Sequence, residues 1–210
     1  MSKVKAIISL LLVVGAFICA TVAFSSYWYQ TSIKNNYLIV YKYNEYKYFT
    51  ISGGDVVSTK HHTYTENEKR VSKNQLSIMN ASLAFDILAW ILFLITSILL
   101  IMKLTGVINK IPTFIPIISM IGKFILIGAT LFMLLSMFIF LGIGSAKKRD
   151  CLHLKNETSC SNDNYDFVYR KNGLYQGPST SWIAVVIGSV LSIAAMVINF
   201  FGVFEVTPSN

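Results

Sequence analysis

Four uninterrupted apolar stretches constrain this chain more than anything else in it. They run over 6–24, 83–102, 115–143 and 182–204. A helix needs about 20 such residues to cross the hydrocarbon core of a bilayer. Inside lipid every backbone polar group must be satisfied within the protein, so runs of this kind are read as helices. Composition agrees: 54% of the chain is hydrophobic and only 13% is charged, against roughly 25% charged in soluble domains. A soluble fold has no interior large enough for four such runs. The expected fold class is therefore membrane α-helical. We expect a single domain over 1–210, a four-transmembrane-helix bundle, with polar loops over 25–82 and 146–178 on one side.

The first polar loop reads as a β ribbon. Eight of the 11 tyrosines lie between Tyr27 and Tyr64, and the other three lie in the second loop. Residues 37–43 and 46–51 are aromatic and β-branched, as strands are. Asn44-Glu45 predicts a two-residue turn between them. Gly53-Gly54 predicts a second turn, because glycine accepts the positive φ of tight hairpins, and 56–61 returns as a third strand. This register puts Ile39, Tyr41, Tyr43, Tyr46, Tyr48, Thr50 and Val57 on one face. Leu38, Val40, Phe49, Ile51 and Val56 fall on the other. It also opposes Lys42 to Lys47, which is mildly unfavourable. The aliphatic face is expected to pack. The tyrosine face is amphipathic and open to a partner, although tyrosines are also simply good strand formers.

The cysteines are Cys19, inside the first span, and Cys151 and Cys160, in the second loop. The latter pair flanks Asn156-Glu157-Thr158, a glycosylation acceptor. A cysteine pair beside a sequon fits an oxidising, extracellular or lumenal side. We therefore expect a Cys151–Cys160 disulfide, a glycan on Asn156, both termini in the cytoplasm and residence in the plasma membrane. Lys147-Lys148-Arg149 then lies outside, against the positive-inside tendency, which long loops escape. The reverse orientation stays open. So does cleavage of the first span as a signal peptide, although its apolar run exceeds the usual 7–15 residues.

Small residues recur every fourth position in two spans: Gly15, Cys19 and Ala23 in the first, Ala184, Gly188 and Ser192 in the last. That spacing lets helices approach closely. Asn199 predicts an interhelical hydrogen bond. Thr65-Glu66-Asn67-Glu68 has the form of a capping box and predicts a short helix from 66 toward 75. The second loop predicts one strand over 165–170, followed by an Asn172-Gly173 turn. Asp86 sits a turn inside the second span. It is read either as a functional group or as one that snorkels or caps a neighbour.

No CxxC, phosphate loop or serine elbow occurs, and no cofactor is implied. His61-His62 point to opposite faces of a strand and do not form a metal pair by themselves. The formal charge of +8 is scattered without a basic stripe. It favours membrane lipids or acidic glycans over nucleic acid. No enzymatic activity is expected.

The order of elements resembles the claudin and peripheral-myelin-protein superfamily, whose relatives include auxiliary subunits of channels and receptors. That order is span, β-rich loop, short helix, span, short link, long span, loop with one strand, span. Tyr27-Trp28-Tyr29, just after the first span, is similar to the family's tryptophan in the first strand. Trp28 carries over as an anchor at the membrane face. The family's Gly-Leu-Trp and its first-loop cysteine pair are missing here. The resemblance implies an extracellular antiparallel β-sheet and a role in cell–cell or membrane adhesion, with itself or another membrane protein as partner. Trp28, Tyr41, Tyr43, Tyr46 and Tyr48 are the contact candidates. The alternative is an accessory subunit of a channel or receptor, docking through the small-residue helix faces. A small transporter or channel using Asp86 is a weaker third reading.

Overall fold

The computed structural model describes residues 3–34, 36–107, 115–154, 160 and 165–200. Four of its helices are long and apolar enough to cross a membrane. They are α1 (Lys3–Ser25), α3 (Lys73–Leu104), α4 (Ile115–Leu141) and α6 (Thr180–Ile198). Two shorter helices, α2 (Glu66–Val71) and α5 (Ile143–Leu154), come before α3 and after α4. The third apolar run does not continue as one helix through 143. It turns at Gly142, and Lys147-Lys148-Arg149 ride on α5. Pro116 lies in the first turn of α4, where its missing N–H costs no helical bond. Gly106, at φ 74°, closes α3.

The strands form one antiparallel sheet in the order β4-β3-β2-β1-β6-β5. They are β1 (Tyr29–Ile33), β2 (Tyr37–Tyr41), β3 (Glu45–Ser52), β4 (Asp55–Thr63), β5 (Tyr169–Lys171) and β6 (Leu174–Pro178). Both polar loops therefore feed one sheet, joined where β1 pairs β6. Two strands exceed the sequence reading. β1 (YQTSI) precedes the aromatic and β-branched stretches at 37–43 and 46–51 and holds a single tyrosine. The second loop holds a hairpin, not one strand over 165–170. Its turn is Asn172-Gly173, both at positive φ, as a tight hairpin requires.

The register of β2 against β3 also differs from expectation. Tyr41 pairs with Tyr46 and Val40 with Lys47. The turn is Lys42-Tyr43-Asn44, closed by Lys42 N–H donating to the Glu45 carbonyl at 2.8 Å. The shift is two residues, so the faces keep their membership while the Lys42–Lys47 opposition disappears. A bulge between Thr50 and Ile51 adjusts β3 against β4.

The chain divides into two compact units. The bundle unit is Met1–Thr21, Phe85–Leu135 and Ala184–Asn210. Within it α1 meets α3 through Phe17 stacked on Trp90 at 5.2 Å, and Trp90 Nε1–H donates to Thr21 Oγ1 at 3.0 Å. Phe85 on α3 meets Phe132 on α4 at 5.8 Å. Its outward side chains, such as Leu11, Phe124 and Val190, are more than 60% exposed, as lipid-facing residues are. The sheet unit is Val22–Ala84 and Ser136–Ile183. Its core is aromatic: Trp28 packs on Phe140 at 5.1 Å, Phe140 on Phe167 at 6.1 Å, and Phe167 on Trp182 at 5.1 Å.

Candidate functional site

The sheet unit is built outward from Trp28. Trp28 is fully buried, and its backbone holds two other segments. Its N–H donates to the Tyr41 carbonyl at 2.9 Å, and its carbonyl accepts from Ser179 N–H at 2.9 Å. Ser181 N–H donates to the Tyr27 carbonyl at 3.0 Å. One tripeptide thus ties the end of β2 to the start of α6.

The tyrosine face, not the aliphatic face, is the one that packs on helices. Tyr29, Tyr41 and Tyr46 lie side by side across β1, β2 and β3, with centroids 6.5 and 6.3 Å apart. Lys147 of α5 lies over Tyr29 at 3.9 Å and Tyr41 at 5.7 Å and donates to Gln176 Oε1 at 3.4 Å. Burial lowers its ammonium to about 7. Tyr46 O–H donates to Glu68 Oε1 of α2 at 3.0 Å. Glu68 in turn accepts from Thr65 N–H and Oγ1–H at 2.8 and 2.9 Å, and its own N–H donates to Thr65 Oγ1. The capping box read from the sequence is therefore present. The Thr65 backbone bond, then its hydroxyl and Tyr46, hold Glu68 below the usual carboxylate range.

The opposite face is dressed locally. The Tyr27 ring lies under Lys47 at 5.5 Å, and its hydroxyl donates to Glu45 Oε1 at 3.4 Å. His61 Nε2 approaches Glu45 Oε2 at 2.8 Å. Val40 is buried, whereas Leu38, Phe49 and Ile51 are half-buried. The physical reason for the reversal is that tyrosine offers both ring area and a hydroxyl. A face that meets polar α2 and the cationic α5 needs both, and an aliphatic one supplies only the first.

The contact candidates therefore separate. Trp28 is core. Tyr41 and Tyr46 are half-buried against Lys147 and α2. Tyr43 is in the β2–β3 turn, and Tyr48 stacks on Tyr37 at 5.5 Å, both half-buried. What the sheet leaves open is β4: all nine of its residues are exposed, with Val56 at 59% and Val57 at 66%. Cys151 and Cys160 are bonded, as expected. Asn156 lies outside the described residues.

The helix-packing candidates meet one another. A Cβ on Gly188 would run into Met133 of α4 and stand 3.0 Å from Cys19 Cβ of α1. A Cβ on Gly15 would stand 3.1 Å from Leu191 of α6. Ala23, Ala184 and Ser192 are buried, and Cys19 is half-buried. Asn199 Nδ2–H donates to Ser9 Oγ of α1, the interhelical bond expected. Asp86 departs from its reading as a snorkelling or capping residue. It is fully buried, and neither carboxylate oxygen has a hydrogen-bond partner among the described residues.

Two residues with structural consequence were missed. Asp150 of α5 caps α3 from 76 residues away, accepting from Asn74 N–H and Gln75 N–H at 2.9 Å and from Asn74 Nδ2–H at 2.8 Å. Gly144 passes so close to Tyr165 that a Cβ would overlap its carbonyl oxygen. Neither has a local sequence signal, since each depends on a partner placed by the fold. Among the described residues, no group of three or more His, Cys, Asp or Glu is placed to hold a metal ion. No protein-family model matches the chain, and no curated protein matches it in sequence.

Proposed function

We propose that this chain is a non-enzymatic, multi-pass, claudin-like protein of the plasma membrane with both termini cytoplasmic. Its extracellular sheet mediates cell–cell or membrane adhesion. The order of elements and the buried Trp28 just after the first span support the claudin-like part of this reading. The adhesion part rests on one observation, the exposed edge strand β4. A nine-residue edge with open backbone groups and two protruding valines is a surface that other chains pair with or pack on. Natural proteins usually blunt such an edge, and Lys60, His61 and His62 do so only toward its far end. The contact set accordingly moves from Tyr41 and Tyr46, which the chain itself covers, to Val56 and Val57 with Tyr43 and Tyr48 nearby in sequence.

The test is aggregation of suspended cells carrying the wild type or Val56→Lys with Val57→Lys. Both positions are solvent-exposed, so surface delivery of the variant stays at the wild-type level. Aggregation is expected to fall several-fold. Unchanged aggregation at equal surface density sinks the role given to this edge. The alternative, an accessory subunit, would have to dock through surfaces other than the small-residue faces, because Gly188 is occupied by Cys19 and Met133.

A further inference from the structure

On the tyrosine side of the sheet a cavity of about 320 Å³ opens between β2, β3 and α2. Its walls include Tyr41, Tyr46 and Tyr64, with Asn67, Glu68 and Val71 facing them from α2. Tyr46 and Tyr64 are 5.3 Å apart between centroids, and Tyr41 and Tyr46 are 6.3 Å apart. Tyr64 is only 8% exposed, yet its hydroxyl has no partner among the described residues. A second cavity of about 420 Å³ shares Val71 and is lined by Arg70, Lys73, Asn74, Asp150 and His153. Neither Arg70 nor Lys73 forms an ion pair among the described residues. The Asp150 carboxylate in that wall is taken up by the amides of Asn74 and Gln75.

We propose that the two cavities together bind a phosphocholine group, the trimethylammonium among Tyr41, Tyr46 and Tyr64 beside Glu68, and the phosphate beside Arg70 and Lys73. This goes beyond the adhesion reading and does not depend on it. Three tyrosines line the first cavity beside a carboxylate, with Tyr46 also stacked on His62 at 5.3 Å. Aromatic rings next to a negative charge attract a cation, and quaternary ammonium is the form such surroundings suit best. The tyrosine row already holds one amine in this chain, Lys147 Nζ over Tyr29 and Tyr41. A primary ammonium or guanidinium fits less well because it needs several directed acceptors. Glu68 already accepts three hydrogen bonds, from Tyr46 and Thr65, which leaves its charge but little acceptor capacity. A trimethylammonium group needs the charge and no hydrogen bond. Across Val71, the two cations without ion pairs then supply what a phosphate requires.

The experiment titrates the full chain, purified in a maltoside detergent that lacks choline, with phosphocholine, tetramethylammonium and phosphoethanolamine by calorimetry. Phosphocholine is expected to bind tightest, with phosphoethanolamine about tenfold weaker. Glu68→Gln keeps the capping box, which accepts Gln at that position, and is expected to weaken phosphocholine and tetramethylammonium about tenfold alike. Arg70→Gln with Lys73→Gln weakens phosphocholine but leaves tetramethylammonium unchanged. An unchanged melting temperature in each variant shows that the fold is intact. Flotation of the nanodisc-embedded protein with phosphatidylcholine vesicles, and not with phosphatidylglycerol vesicles, assigns the group to a lipid. Binding of the soluble ester without flotation assigns it to a small solute. The proposal is overturned if neither phosphocholine nor tetramethylammonium binds at millimolar concentration, or if both bind Glu68→Gln as well as the wild type.

Discussion

A methyl group on Gly144 would be driven into the Tyr165 carbonyl oxygen and would stand 3.2 Å from the Asp166 carbonyl carbon. Both neighbours are backbone, so relief requires α5 or the segment before β5 to move. Gly144→Ala should therefore cost about 3 kcal/mol, the upper end for overpacking, measured by thermal unfolding in detergent. A cost below ~1 kcal/mol would mean that this segment yields easily. Lys147, one turn further along α5, supplies a pH dependence. In the folded chain burial lowers its ammonium to about 7, against an ordinary 10.5. Between those values the unfolded chain binds more protons than the folded one, so stability rises as pH rises through that window. Unfolding followed from pH 7 to pH 9, below the ordinary tyrosine range, should show this rise. Lys147→Met should flatten it. A slope that survives in Lys147→Met belongs to another group.

At the scale of elements, α3 begins at Lys73, with Ser72 alone between it and the end of α2. Asp150 supplies the cap from α5, holding two backbone amides of the first turn. Asp150→Ala should cost about 1–2 kcal/mol, the usual effect of losing an N-cap. Asp150→Asn, which keeps an acceptor oxygen, should recover part of that loss in the same melt. Recovery separates the hydrogen bonds from the charge. The contrast with α2 explains what was legible in the sequence. Thr65 and Glu68 are three residues apart, so their box can be read directly. Asp150 and Asn74 are 76 residues apart and meet only in the folded chain. The strands divide the same way. Composition marked the tyrosine run, and Gly53-Gly54 and Asn172-Gly173 marked their turns. The β2–β3 turn lies one residue earlier than Asn44-Glu45, which shifts the pairing by two, because the closing bond runs from Lys42 N–H to the Glu45 carbonyl and puts Glu45 in β3. Which face packs was also hidden. Alternation assigns residues to faces, but only the helices decide which face they cover.

At the scale of the whole chain, the four apolar runs set the expected class, and each contributes a helix long and apolar enough to cross a membrane. The unpredicted finding is where their small residues point. Spacing alone could not say whether Gly188 faces a partner protein or another helix of this chain, because both uses need the same close approach. The structure sets Gly188 against Cys19 of α1 and Met133 of α4, and Gly15 against Leu191 of α6. These faces are therefore interior to the bundle unit. A leucine at 188 would have to displace the terminal methyl of Met133, which is flexible, and the Cβ of Cys19, which is not. Gly188→Leu should lower the melting temperature of the protein purified alone, with a cost of about 3 kcal/mol from overpacking. Cys19→Ala leaves Cβ in place and should relieve little of it. Met133→Ala should relieve more, because it removes the atom in the way. A Gly188→Leu protein that melts like the wild type, yet no longer recovers a co-purifying membrane protein, would turn this face outward and revive the accessory-subunit reading.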